Sequence, residues 1–366
     1  MKKLAAVLCV LLMGFSACKD TPHEPDKPQP NALYFPTIGS DDWGTSTPTE
    51  YNWDTSEIAT LFTFLDDSKT RAFLVLKDGK MVLEHYNGKT ILGTKDFDKT
   101  SQWYWASAGK TLTAFLVGQA QEDQFLNIDE VSSKYLGDWT SATKQQQDKI
   151  TIRHQLTMTS GLDDKVSDPD CTKPSCLTYK ADAGTRWAYH NAPYTILDSV
   201  VQQATDQHFD SYFNNRLRDP IGMDGAWSYL DYNHVYFSTA RSMARYGLLV
   251  LNKGKWADKV VLADTQYIYD MTHRSQALNK SYGYLWWLNG QESHMIPSVQ
   301  LVINQPIAPD APQDMIGALG KNGQFLLIVP SQNIIVVRMG DNPEVSLVPT
   351  KYLNDLWVQL NKVIKP

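Results

Sequence analysis

The chain predicts an α+β fold: an antiparallel sheet built from both chain ends, flanking helices, and a helical lobe inserted between the two halves of the sheet. Three observations carry this. Two apolar-rich runs near the start, Arg71–Lys77 and Lys80–Tyr86, are joined by Asp78-Gly79, a two-residue hairpin signal. Strand-like runs return only near the end, at Tyr282–Leu288, Phe325–Val329 and Ile334–Arg338. Between them the pattern is mainly helical, with turns at Gly137, Gly161, Gly184, Gly222 and Gly254.

In chain order, residues 1–17 carry Lys2 and Lys3, an apolar run, and small residues before Cys18. The apolar run is too short to span a bilayer and reads as a secretory signal. Residues 18–50, with Pro22, Pro25, Pro28 and Pro30 among polar neighbours, read as a flexible tether. The folded unit then covers 51–366, with the helical lobe at about 120–275. A terminal helix, about Thr350–Val363, closes it. No internal repeat is evident.

The chemistry begins at Ser107. Trp105-Ala-Ser-Ala-Gly-Lys110 precedes an apolar segment of helical length, in which Leu112, Phe115, Leu116 and Ala120 share one face. A hydroxyl and an ammonium three residues apart then project together from the first turn. A serine hydroxyl needs a base within reach, and a desolvated lysine of lowered pKa can serve. The same S-x-x-K spacing recurs at Ser16–Lys19 and Ser141–Lys144. Those two lie in the signal segment and in a glutamine-rich polar stretch, neither of which opens a buried helix. Ser107 also suits a plain helix cap with Lys110 in solvent.

A second element is Gly184-Thr-Arg-Trp-Ala-Tyr189-His190-Asn191. Tyr189 beside a lysine can relay protons, and Asn191 can orient the lysine or a substrate amide. A core tyrosine is the plain alternative, and Y-x-N recurs at Tyr212 and Tyr352. His190 is expected to point away if Tyr189 faces the site, since neighbours in extended chain alternate. A third element, Gly317-Ala318-Leu319-Gly320-Lys321-Asn322-Gly323, leads into the strand at Phe325. Its glycines suit either close approach to a ligand or a simple turn. Trp103, Tyr104, Trp105, Trp187, Trp286 and Trp287 are candidates for an apolar cleft wall or for core packing.

Charge and cysteines narrow the setting. There are 34 basic and 40 acidic residues, and loss of Lys2 and Lys3 with the signal takes the formal net charge from −6 to −8. An acidic chain without a basic cluster argues against nucleic acid. Cys171 and Cys176 form a C-x4-C loop that closes as a disulfide in an oxidising compartment. A metal pair is the other reading, disfavoured because no histidine pair or H-E-x-x-H lies nearby. No metal or organic cofactor is expected.

Taken in order, these elements resemble the beta-lactamase-related serine hydrolases, the superfamily of class C beta-lactamases, penicillin-binding DD-peptidases and related esterases. The resemblance extends to Val75–Gly79, Glu84–Asn87, Thr151–Leu162, Ser238–Leu248 and Tyr282–Trp287, and covers about residues 70–345. It implies Ser107 as the acylated nucleophile, with Lys110 and Tyr189 sharing general-base work and Asn191 positioning Lys110 or substrate. The small residues before Cys18 resemble a bacterial lipoprotein signal, although Phe15 stands where leucine is usual. That resemblance implies an exported protein held by a lipid on Cys18, facing the periplasm or the cell surface, with no other membrane contact.

One departure bears on substrate. Lactamases and DD-peptidases carry Lys or His, then Thr or Ser, then Gly at the third motif, a grip for the substrate carboxylate. Here Ala318-Leu319-Gly320 aligns with it, and the alternative Met315-Ile316-Gly317 also lacks the cation and hydroxyl. Losing that charge-assisted contact weakens affinity about ten- to a hundredfold, so lactamase activity is expected to be weak or nil. The pattern Ala-x-Gly-x-x-Gly-Gln resembles the branch holding 6-aminohexanoate-dimer hydrolase and carboxylesterases, which implies the Lys321 N–H as an oxyanion donor beside that of Ser107. The expected substrate is a small ester or linear amide, short peptides included. A DD-peptidase and a receptor that is acylated without turnover are the rivals.

Overall fold

The computed structural model describes residues 33–364. The signal, Cys18 and the first part of the tether lie outside them. Strands β1 (Thr70–Lys77), β2 (Lys80–Tyr86), β3 (Trp103–Tyr104), β4 (Ala226–Leu230), β5 (Asn233–Ser238), β6 (Lys255–Trp256), β7 (Lys259–Val260), β8 (Trp287–Leu288), β9 (Ile316–Gly320), β10 (Gln324–Val329) and β11 (Ile334–Gly340) follow in order. Six of them form one antiparallel sheet in the order β2-β1-β11-β10-β9-β8. Both chain ends build it, and the fold is α+β.

Local chemistry explains the sheet. Asp78 and Gly79 both take positive φ, 51° and 83°, the geometry of a tight hairpin turn. Gly79 is needed twice over, because a Cβ there would lie 2.0 Å from the Tyr34 carbonyl oxygen. Strands β10 and β11 are buried along their whole length, since both faces are covered. Phe325 stacks with Tyr352 of the helix Thr350–Val363, while the next residue, Leu326, meets Gly247 of the helix Ala240–Leu251 on the other face. Strands covered on both faces read as continuous apolar runs.

Three expectations need correction. The described part of the tether, residues 33–50, is packed: the Tyr34 N–H donates to the Asp78 carbonyl, Thr45 bridges Met81, and Arg245 donates to the carbonyls of Pro36, Thr37 and Ser40. Tyr34, Phe35 and Trp43 anchor this polar stretch. The run Tyr282–Leu288 is strand only at Trp287–Leu288, because Gly283 fits against the Met271 carbonyl and Leu285 turns at φ 61°. The helical lobe contains the hairpin β4–β5, which forms a three-stranded sheet with β3. The helix that follows Ser107, α1 here (Lys110–Glu122), is buried as its apolar residues predict, and on every side: each residue from Lys110 to Ala120 is buried.

Candidate active site

Ser107 sits in a single 3-10 turn, Ala106–Gly109, that leads directly into α1. The residue before it, Ala106, holds φ at 47°, a region that alanine rarely occupies. The turn is fixed from outside: Trp105 donates its N–H to the Tyr236 carbonyl and its indole Nε1 to Ser238 Oγ at 2.7 Å. Strand β9 presses on it from the other side. A Cβ on Gly320 would lie 2.6 Å from the Trp105 carbonyl oxygen and 3.0 Å from the Ala108 nitrogen. Only glycine permits this approach, and it brings the following peptide, that of Lys321, alongside the Ser107 turn. Ala318, two residues earlier on β9, is fully buried.

Lys110 opens α1 and is 3% exposed. Its Nζ donates to Ser107 Oγ at 3.2 Å. The same nitrogen lies 4.2 Å from the Tyr194 ring centre and 5.2 Å from that of Tyr189. No carboxylate pairs with it among the described residues. Burial therefore lowers its pKa to about 7, with the Asp170 charge opposing. Tyr189 is stacked on Trp287 and edged by Tyr282. Burial pushes its phenol well above the ordinary value, and the neighbouring Ser107 hydroxyl offsets part of this.

Ser107, Tyr189 and Asn191 line one cavity of about 70 Å³ with Asp164, Pro169, Ser298 and Leu347. Two larger hollows lie elsewhere, and neither is lined by Ser107, Lys110 or Tyr189. His190 does not line the cavity. It is buried with both ring nitrogens unpartnered, and burial pushes its pKa to about 4. Asn191 does not bond Lys110. Its Nδ2 donates to Asp170 Oδ1 at 2.7 Å. Cys171 and Cys176 are disulfide-bonded next to Asp170. Of the two roles open to the tryptophans, cleft wall or core, the core is the one they take: Trp103, Trp105, Trp187, Trp286 and Trp287 are all buried, and none lines the cavity.

Several residues here carry no local signal in the sequence. Asp164 is nearly buried and paired with Arg186. Arg338 is fully buried and donates to the carbonyls of Asn322, Gly323, Ser68 and Asp341. It thereby pins the turn Lys321–Gly323 that follows Gly320. The adjacency of Asp170 to a stapled cysteine is the one hint that its position is fixed.

A serine bonded to a buried lysine at the start of a central helix, beside an antiparallel sheet of this order, defines a beta-lactamase-fold serine hydrolase. The chain belongs to the beta-lactamase family, whose model matches residues 63–344. It is 24% identical over 305 residues to an uncharacterised protein of Alkalihalophilus pseudofirmus, covering 75% of this chain and 84% of that one. Protein flp of Staphylococcus aureus is 26% identical over 167 residues, which are 40% of this chain and 34% of flp. Among solved structures, a candidate 6-aminohexanoate-dimer hydrolase from Bacillus anthracis superposes with TM-score 0.64 at 17% identity, covering 90% and 88% of the two chains. An octameric penicillin-binding protein homologue from Pyrococcus abyssi gives 0.61 at 16%, covering 84% and 78%. At these identities the structural likeness bears on fold.

Proposed function

We propose that this protein hydrolyses an ester or a linear amide through an acyl-enzyme on Ser107. The observation that carries the reading is the contact of Lys110 Nζ with Ser107 Oγ at 3.2 Å, in a buried setting where no carboxylate pairs with the ammonium among the described residues. With its pKa near 7, Lys110 is largely uncharged just above neutrality and can take the serine proton. Oγ then attacks the carbonyl, and the N–H groups of Ser107 and Lys321 receive the oxyanion. The alcohol or amine leaves with a proton from Lys110 or from Tyr189, whose raised pKa keeps it protonated. Water attacks the acyl carbon, gives up a proton to the same pair, and frees the acid and Ser107.

The third motif supports esters and linear amides over penicillins. Neither lysine nor arginine lines the cavity among the described residues, and the nearby Arg186 is tied to Asp164. The likeness to a penicillin-binding protein homologue favours a DD-peptidase as the second reading. Export with a lipid on Cys18 belongs to the same proposal, and intact mass of membrane-extracted protein tests it.

The test of function is hydrolysis of p-nitrophenyl acetate and butyrate, with nitrocefin alongside, by wild type and Ser107→Ala. Ester turnover that disappears in the variant, with little nitrocefin cleavage, is expected. Rapid nitrocefin cleavage would contradict the argument from the third motif, and turnover surviving in the variant would contradict the acyl-enzyme.

A further inference from the structure

Lys110 has to hold two states in each turnover: a neutral amine that takes the Ser107 proton, and the ammonium that results. Its burial favours the first. Among the described residues no carboxylate pairs with it, and Asp170 acts on it only through space. What lies against Nζ is aromatic. The nitrogen is 4.2 Å from the centre of the Tyr194 ring and 5.2 Å from that of Tyr189, both within the range in which a ring face attracts a cation.

The two rings differ in what else they do. Tyr189 lines the cavity beside Ser107, whereas Tyr194 does not line it. Tyr194 is 5% exposed, on the one-turn helix Asn191–Thr195. That helix is tied down by Gln155, whose Nε2 donates to the Pro193 carbonyl at 2.7 Å. The Tyr194 hydroxyl lies 3.5 Å from Thr113 Oγ1, three residues on from Lys110 along α1, so the helix that carries the ammonium also touches the ring. Asp198, bonded to His234, and Tyr229 act on Tyr194 through space, and Tyr282 is close to both tyrosines. A carboxylate in the place of the Tyr194 ring would hold the proton too firmly for Lys110 to act as a base. An aliphatic wall would give the ammonium nothing. A ring face attracts a cation more weakly than a carboxylate does, which leaves both states within reach.

We infer that the face of Tyr194 is the counterpart of the Lys110 ammonium, and that Tyr194 is a positioning residue which holds Nζ against Ser107 and stabilises the proton it has taken. The inference rests on the hydrolase reading for its part in turnover, while the contact itself can be measured without turnover.

In protein labelled with ¹³C at lysine Cε, the titration of Lys110, assigned by its loss in Lys110→Arg, reports the lysine directly. A partner that stabilises the charged form raises a lysine pKa, so removing the ring lowers it. Tyr194→Phe keeps the ring and is expected to leave the midpoint within about 0.3 of the wild-type value, whereas Tyr194→Leu is expected to lower it by about half a unit to one and a half units. Thermal melting reports whether the leucine variant folds. If it does not, phenylalanines with increasing numbers of ring fluorines, placed at position 194, keep the ring's shape while drawing electrons from its face, and the midpoint should fall in step. The rising limb of kcat/KM for ester hydrolysis should move in the same order. A merely structural role would cost stability, and rate at every pH, and leave the midpoint in place, which would overturn the inference. So would a shift in Tyr194→Phe as large as that in Tyr194→Leu, which would assign the effect to the hydroxyl. Midpoints that move as expected in a protein without Ser107-dependent turnover would leave the contact standing and sink the hydrolase reading.

Discussion

Among the described residues two places carry the same four-residue pattern, Ser-x-x-Lys, and share almost nothing else. Ser107 and Lys110 lie at the head of a helix buried on every side, with the lysine 3% exposed and bonded to the serine. Ser141 and Lys144 lie at a one-turn surface helix, Lys144–Gln147. There the serine Oγ donates to the Leu177 carbonyl, and the lysine side chain, 77% exposed, pairs with Asp148 at 2.8 Å. The hydrogen bond and charge of Asp148 raise the pKa of Lys144, while burial lowers that of Lys110 to about 7. Spacing alone does not bring the two groups together: Lys110 Nζ meets Ser107 Oγ at 3.2 Å, whereas Ser141 precedes its helix and turns to Leu177 while Lys144 turns to Asp148. Desolvation without a counter-ion is what turns one amine into a base.

Substitutions at the two places should differ by orders of magnitude. Ser107→Ala is expected to lower kcat/KM for p-nitrophenyl butyrate by about 10⁴-fold or more, because no nucleophile remains. Lys110→Arg keeps a cation that cannot deprotonate, and a loss of about 10² to 10⁴-fold is expected in the same assay. Gly320→Ala sets a methyl group 2.6 Å from the Trp105 carbonyl oxygen and must displace the Ser107 turn or β9. A loss of about 10²-fold, chiefly in kcat, is expected from the misplaced oxyanion donors, with thermal melting as the check on folding. Ser141→Ala and Lys144→Ala should change kcat/KM by less than about twofold and leave thermal melting essentially unchanged. A large effect at Lys144, or a small one at Lys110, would break the contrast.

How much of this could be read in advance follows the same division between local and tertiary causes. The hairpin at Asp78-Gly79, the buried runs of β10 and β11, and the terminal helix Thr350–Val363 are legible because turn chemistry and periodicity lie in adjacent residues. Ser107 and Lys110 stand out through the apolar helix that follows them and Tyr189 through the family resemblance, and the fold brings the three to one place. Other features are set by distant chain. The all-round burial of α1 depends on what packs around it, including Tyr267, whose ring crosses Gly118 closely. Arg338 looks like an ordinary strand arginine until four carbonyls converge on it. Asp170 turns the Asn191 amide from 21 residues away. The hairpin β4–β5 hides in a stretch dominated by helices, and residues 33–50 read as tether because polar composition masks three aromatic anchors.

The pH dependence of Ser107-dependent ester hydrolysis tests the central claim most directly. As pH rises through the pKa of Lys110 the ammonium loses its proton and becomes competent as a base, so kcat/KM should climb with a midpoint near 7 and level off above it. Tyr189, its pKa raised by burial, should impose no falling limb in the same range. A rising limb near 10, the value of a lysine in water, would show that Lys110 is an ordinary ammonium and would contradict the account.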